Sequence, residues 1–386
     1  MATLAYASNF LWVLVISLLG PSLPAIIADL GIGYAQAGLF FTMLSLGSFF
    51  GTSLGAIASD RLPRKALFAA CAAFLAIGLS ALGFMRSYAG AAVLIFLLSL
   101  TGSPIGAIGQ SIMLGMFPAR RERNLSVMAS FGAIGSLVAP VLVSINYSAQ
   151  LAWRWPFVEA AGLSLLLVVA VLALPISPAG APRERQRVLA ILKNRRVAAA
   201  AVMIFFSIAI DLAFSYWLAE YFAAELRVSL RLSSSVVGIY LAGIVAGRLL
   251  IPLALKRISP EMHLRLSLSI ALAGILLFIL VPSVPAKAAL CALYGLGVGP
   301  VFPLLMARGS REYPDQSGAV TGVLFGCLSL GGMSFPLLIG SLAAGIGIAR
   351  SYWLCAAVAF GLLVAALAMR PGPASPSCRS HNTIVL

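Results

Sequence analysis

The sequence predicts an all-α membrane protein with twelve transmembrane helices in two bundles of six. Three observations predict it. First, 61% of the 386 residues are hydrophobic and only 10% are charged, whereas a soluble domain carries about a quarter charged residues. The mean hydropathy is +1.04. Second, the apolar residues come in blocks roughly 20 residues long, the length at which a helix crosses a bilayer. The alternating pattern of a membrane barrel is absent. Third, one long polar interruption divides the chain near its middle.

The blocks place spans at 4–28, 36–58, 66–84, 90–116, 124–145, 155–174, 198–220, 233–254, 264–282, 286–307, 317–341 and 349–369. The first block has no basic leader and no cleavage pattern, so it reads as a first helix rather than a signal peptide. The interruption carries Pro175, Pro178 and Pro182 together with Arg183, Arg185, Arg187, Lys193, Arg195 and Arg196. It separates an N-terminal bundle (1–174) from a C-terminal bundle (198–369) as a linker (175–197). The Pro/Ser-rich tail (370–386) is expected to be disordered.

The formal charge is +15. A nucleic-acid partner would need these charges clustered on a soluble face; here they sit in short loops between apolar blocks. With both termini cytoplasmic, 19 of the 26 Lys and Arg residues fall on the cytoplasmic side and six on the other, with Arg248 inside the membrane. That asymmetry orients the chain in a bacterial inner membrane. Of five cysteines, Cys71, Cys291, Cys327 and Cys355 lie in apolar blocks and Cys378 in the tail. None forms a CxxC, so neither a disulfide framework nor a metal site is indicated. The two histidines, His263 and His381, lie outside the central membrane region, which leaves no Ser-His-Asp chemistry there. No phosphate-binding glycine loop is present, so ATP is not the energy source, and no cofactor is expected.

Helices in lipid associate through small residues, because apolar burial against apolar lipid gains little. Gly47, Gly51 and Gly55 form one face of the second helix, and Gly102–Gly106 and Gly243–Gly247 repeat the spacing on the fourth and eighth. The fourth (Gly102, Pro104, Gly106, Gly109), tenth (Gly295, Gly297, Gly299, Pro300, Pro303) and eleventh (Gly331, Gly332, Pro336) are rich in glycine and proline. Kinkable helices at matching positions of two halves point to a moving substrate path.

The segment Ala56 to Lys65 resembles the major facilitator signature G-x-x-x-D-R-x-G-R-K/R. Asp60, Arg61, Arg64 and Lys65 match, while Ala56 and Pro63 stand where the family has glycine. The segment of Arg120, Arg121 and Arg123, followed by Gly132, Gly135 and Pro140, is similar to the equivalent region of that superfamily. The resemblance implies a secondary transporter working by alternating access, with Asp60, Arg61, Arg64 and Lys65 as a cytoplasmic gate latch. Two stretches look like the fucose/glucose-galactose permease branch: Asp211, Tyr216, Trp217, Glu220 and Tyr221 on helix seven, and Gly297, Gly299, Pro300 and Pro303 on helix ten. The branch's acids on helices one and four have no counterpart here.

Asp211 is the most informative residue. A charge in mid-helix costs at least about 2.5–3.5 kcal/mol in a bilayer, so this carboxyl must face a cavity or a partner. Ser207 and Ser215 lie one turn to either side on the same face. A carboxyl withdrawn from water favours its protonated form, as proton coupling requires. Asp211, with Ser207 and Ser215, is therefore the candidate for proton or substrate binding; a structural ion pair is the other reading.

Arg248 is expected about 9 Å from Asp211 along the membrane normal, to snorkel, pair with an acid or bind an anion. Glu220 reads as an outer gate, and Arg248 and Glu220 as ion-pair candidates. Asn9, Ser17, Ser103 and Gln110 are candidates to hydrogen-bond a solute in the cavity. Trp217, Tyr240 and Tyr294 could stack on a ring, although helix packing or an interfacial belt is the commoner explanation for each of these seven. The leading expectation is a monomeric, proton-coupled carrier of a small neutral polar solute such as a sugar. The rivals are efflux of apolar cations and a non-transporting sensor or assembly partner.

Overall fold

The computed structural model describes residues 2–116, 121–174, 194–311 and 317–369. Among these, twelve helical spans are long and apolar enough to cross a membrane. The first six are α1 (Ala2–Leu30), α2 (Tyr34–Arg61), α3 (Arg64–Phe84), α4 (Tyr88–Met116), α5 (Arg121–Ser148) and α6 (Trp155–Ala173). The seventh is α7 (Arg195–Glu220), prolonged by a π-helical turn, Tyr221–Glu225. Then follow α8 (Leu230–Ala254) and α9 (Pro260–Leu280). The tenth span consists of two pieces, α10 (Val284–Val298) and α11 (Val301–Arg311), and α12 (Ser317–Ile346) and α13 (Ile348–Ala368) complete the fold. Most of the expected linker and all of the expected tail lie outside the described residues.

Local chemistry sets the helix ends. The Asn194 side chain accepts from the Arg196 amide at 2.9 Å and starts α7 three residues before the expected span. Ser259 does the same for α9 through the Met262 amide at 3.2 Å. These caps satisfy amides that have no partner inside the helix. The α2–α3 turn consists of Leu62 and Pro63 alone. Both have negative φ, −108° and −57°, so the turn closes without glycine.

The two halves pack alike. In the first, α1 lies on α5, α2 on α4, and α3 on α6; in the second, α7 lies on α12, α8 on α10, and α9 on α13. Glycines bring the paired backbones together. A Cβ on Gly47 or Gly51 would run into the Phe96 or Leu100 carbonyl of α4, and one on Gly243 or Gly247 into the Ala292 or Leu296 carbonyl of α10. The same device thus serves the second helix of each half. Gly102 instead receives the Trp12 ring of α1. Phe74, Ile77, Phe84, Leu166, Val169 and Leu249 remain more than 60% exposed, an apolar exterior suited to lipid.

The halves meet through α2 on α12, α5 on α8, and α1 on α7. The end of the bundle holding Leu174 and Asn194 is the linker end; Leu30, Tyr34 and Ile346 mark the far end. Between described residues, every hydrogen bond and ring contact joining the halves lies in the far-end half. Thr42 donates to the Met333 carbonyl at 2.7 Å, Ser234 to the Pro21 carbonyl at 2.9 Å, and Ser144 meets Ser235 at 2.9 Å. Phe41 stacks on Tyr216 at 4.2 Å. Along the α2 stripe that faces α12, Gly38 is buried, Thr42 and Ser45 are half-buried, and Phe49 and Thr52 are exposed. On α12, Gly340 is buried, whereas a Cβ on Gly326 or Gly322 would meet nothing within 4 Å. Among the described residues, the halves are sealed at the far end and part toward the linker end.

Candidate functional site

Asp211 lies 14 residues from the end of the π turn, about 21 Å along the helix. The α1–α7 crossing, where Gly20 meets the Tyr216 backbone, is five residues nearer the far end. Asp211 therefore sits just below the seal, at the blind end of the space between the halves. It is half-buried. The Tyr240 hydroxyl of α8 donates to its Oδ1 at 2.6 Å. Tyr240 is held from behind: its ring stacks on Tyr294 of α10 at 5.8 Å and packs on Phe214 at 5.0 Å. Phe214 also touches Phe278, Tyr294 and Tyr352, so an aromatic core fixes the phenol that addresses Asp211.

Arg248 is exposed, and its Nε donates to the Gly299 carbonyl at 3.3 Å. The cause lies in the sequence of the tenth span. An α-helical carbonyl bonds the amide four residues on, and four residues after Gly299 stands Pro303, which has no amide hydrogen. Pro300 likewise strips the bond from Leu296, and the span breaks between α10 and α11. Arg248 fills the stranded Gly299 acceptor.

The expected pairing of Arg248 with Glu220 is not formed. Glu220 closes α7 at the far end, whereas Arg248 is 18 residues into α8, about 27 Å toward the linker end. Glu220 is buried and faces the Tyr34 hydroxyl of α2 across the seal. Arg248 makes no ion pair with Asp211 either; among described residues the ion pairs join Asp29 to Arg154 and Glu261 to Arg308.

Other candidates disperse. Ser207 is buried and bonds the Ile204 carbonyl of its own helix at 3.1 Å; Ser215 is buried on the same helix. Trp217 has no exposed surface, and its Nε1 donates to the Pro336 carbonyl at 2.8 Å, fastening α7 to α12. Tyr294 is also fully buried, with its hydroxyl unpartnered, and so backs Tyr240 rather than meeting a solute. Ser103 is spent on the Ser48 carbonyl of α2 at 3.2 Å. Asn9 donates to the Met128 carbonyl of α5 at 2.7 Å. Ser17 is half-buried and Gln110 exposed, so of these four Ser17 and Gln110 alone carry no side-chain bond to another helix. Arg61 is exposed, and Arg64 and Lys65 are half-buried, around the α2–α3 turn; the Asp60 side chain lies outside the described residues.

Sequence reasoning named Asp211, Tyr240 and Arg248 separately but missed that Tyr240 contacts Asp211 and that Arg248 serves Gly299. The Pro303 spacing was the available signal for the second.

Comparison with known proteins gives a consistent result. The Major Facilitator Superfamily profile matches residues 5–336. The uncharacterized MFS-type transporter YfkL of Bacillus subtilis (strain 168) is 22% identical over 330 residues, covering 83% of this chain and 82% of that protein. A shorter stretch of 98 residues is 35% identical to the oxalate:formate antiporter of Oxalobacter formigenes, covering 25% of this chain and 23% of that protein. The structure of the nucleoside transporter NupG superposes with a TM-score of 0.77 at 20% identity, over 95% of this chain and 97% of that one. A bacterial homolog of the human lysosomal transporter Spinster, inward-facing and occupied, gives 0.76 at 13% identity, over 95% and 94% of the two chains. The structural likenesses show the fold. With a profile that runs from the first helix into the eleventh span, the chain belongs to the Major Facilitator Superfamily.

Proposed function

We propose that this transporter carries a small, net-neutral polar solute by alternating access, with Asp211 and Tyr240 as the central binding and proton-coupling pair. The carrying observation is placement: a half-buried carboxyl, held by one phenol, stands at the blind end of a space that the described residues seal on one side only. Rocking of the two bundles about that point exposes it to either face in turn. The nucleoside cargo in the name of the NupG structure supports a net-neutral solute; sugars remain in the same class.

In this reading the linker and both termini face the cytoplasm of a bacterial inner membrane, as the Lys/Arg asymmetry supports. The structure then corresponds to the state open to the cytoplasm. The segment of Asp60, Arg61, Arg64 and Lys65 forms the latch of the opposite state. One chain supplies both halves, so the monomer is the working unit.

The test is uptake into proteoliposomes of sugars, polyols, nucleosides, amino acids, organic acids and cationic dyes under an imposed pH gradient. Net-neutral solutes should accumulate with the gradient, and Asp211→Asn should lose that dependence while folding normally. Gradient-driven movement of apolar cations alone would replace this reading with efflux. No flux of any solute would favour the sensor, and unchanged coupling in Asp211→Asn would remove the proton role.

A further inference from the structure

Resting on that reading, we infer that the solute is a small zwitterion whose ammonium binds Asp211 and whose carboxylate binds Arg248. These two residues are opposite charges within one bundle. No ion pair joins them.

Arg248 faces the same space as Asp211. Ser234, Leu241 and Arg248 follow at seven-residue steps, each displaced by only about 20° around the helix. Ser234 points at the opposite half, where it bonds Pro21 of α1. The stripe it begins therefore borders the gap that opens toward the linker end, and Arg248 is exposed there.

Both groups have unused bonding capacity. Among the described residues Arg248 uses one donor, Nε, on Gly299, and a guanidinium has five. Among the described residues Asp211 accepts only the Tyr240 hydroxyl, and a carboxylate can accept about four bonds. The bond to Gly299 anchors the arginine and leaves its terminal nitrogens available. The bond from Tyr240 does the same for the carboxylate.

The spacing suits an amino acid. Eight residues separate Tyr240 from Arg248 on α8, about 12 Å of rise. Side chains lean toward the helix N-terminus, which brings the guanidinium closer to Asp211. An ammonium and a carboxylate on one carbon, each hydrogen-bonded to its partner, span about 8–9 Å. A sugar would leave both charges without counterions, whereas a zwitterion supplies one to each.

The test is thermal stability of the purified, detergent-solubilised full chain with α-amino acids, ω-amino acids and betaines. Each is run beside its amine-only and acid-only analogue. At least one zwitterion should raise the apparent Tm, and both half-analogues should fail at the same concentration. Arg248→Gln should weaken the zwitterion at least tenfold, and Arg248→Lys should recover part of that loss. Arg248→Gln should leave the unliganded fold intact by circular dichroism. If Arg248→Gln instead misfolds, the half-analogue comparison on the native chain decides the question alone. The inference is overturned if no zwitterion shifts the Tm, or if an acid-only or amine-only compound does as well as its parent. It is also overturned if sugars or nucleosides bind equally to the native chain and Arg248→Gln. That last outcome leaves the net-neutral carrier standing, whereas an Asp211→Asn chain with unaltered coupled flux removes the carrier mechanism itself.

Discussion

The Tyr240 hydroxyl donates to Asp211 Oδ1 at 2.6 Å, joining α7 to α8 at the blind end of the inter-half space. It is the only side-chain hydrogen bond that Asp211 makes with described residues, and the Tyr294 ring fixes the phenol from the other side.

Tyr240→Phe keeps the ring stack and removes the donor. A hydrogen bond to a charged group contributes about 1.5–3 kcal/mol. Solute affinity should fall at least about tenfold, with a small change in Tm. Binding measured beside thermal unfolding separates the two effects; a large loss of Tm with unchanged affinity would make Tyr240 structural only.

Ser144 and Ser235 face each other across the seal at 2.9 Å between hydroxyls, so the two side chains point at one another. Cysteines at both positions, with the native cysteines replaced by alanine, should cross-link under mild oxidation. Flux should stop on oxidation and return on reduction. Continued flux in the cross-linked chain would show that this contact persists through the cycle.

Gly243→Val places a side chain against the Ala292 carbonyl of α10, which has no room for it. Overpacking of this kind costs about 1–3 kcal/mol, and the apparent Tm should drop by several degrees. Gly361→Ala on α13, where a Cβ meets nothing within 4 Å, should leave it unchanged. Equal effects would mean that the glycine face does not determine the packing.

Lys287 is buried and donates to the Phe278 and Ile279 carbonyls at the end of α9, beneath the Tyr221 and Phe278 rings. Lys287→Met keeps the volume and strands both acceptors. Each unsatisfied group costs about 1–3 kcal/mol, so thermal stability should fall while solute affinity in the surviving folded fraction stays the same.

Span lengths and their order were legible because a bilayer demands one apolar block per crossing. The glycine faces of α2 and α8 were legible because close approach in lipid needs missing side chains. Asp211 stood out because a mid-membrane charge is costly. What hydropathy cannot encode is which way an apolar helix faces. Trp217 and Tyr294 were cavity candidates for which packing or an interfacial belt was the commoner explanation, and the structure buries both. Nor does it encode the register between helices 29 residues apart in sequence, so Tyr240 and Asp211 could be named but not joined. Arg248 was read for its charge, when the proline four residues after Gly299 already marked a carbonyl in need of a donor.

The far-end seal is fastened by Ser and Thr hydroxyls on backbone carbonyls and on one another, with rings between them, rather than by ion pairs. When such contacts part, each freed hydroxyl and carbonyl is one that a water molecule satisfies nearly as well. The rings move from one apolar surface toward another. In the proposed cycle, parting this face therefore costs little, and an occupied central site tips the balance. A machine fastened this way leaves the choice of direction to the gradients on its two sides.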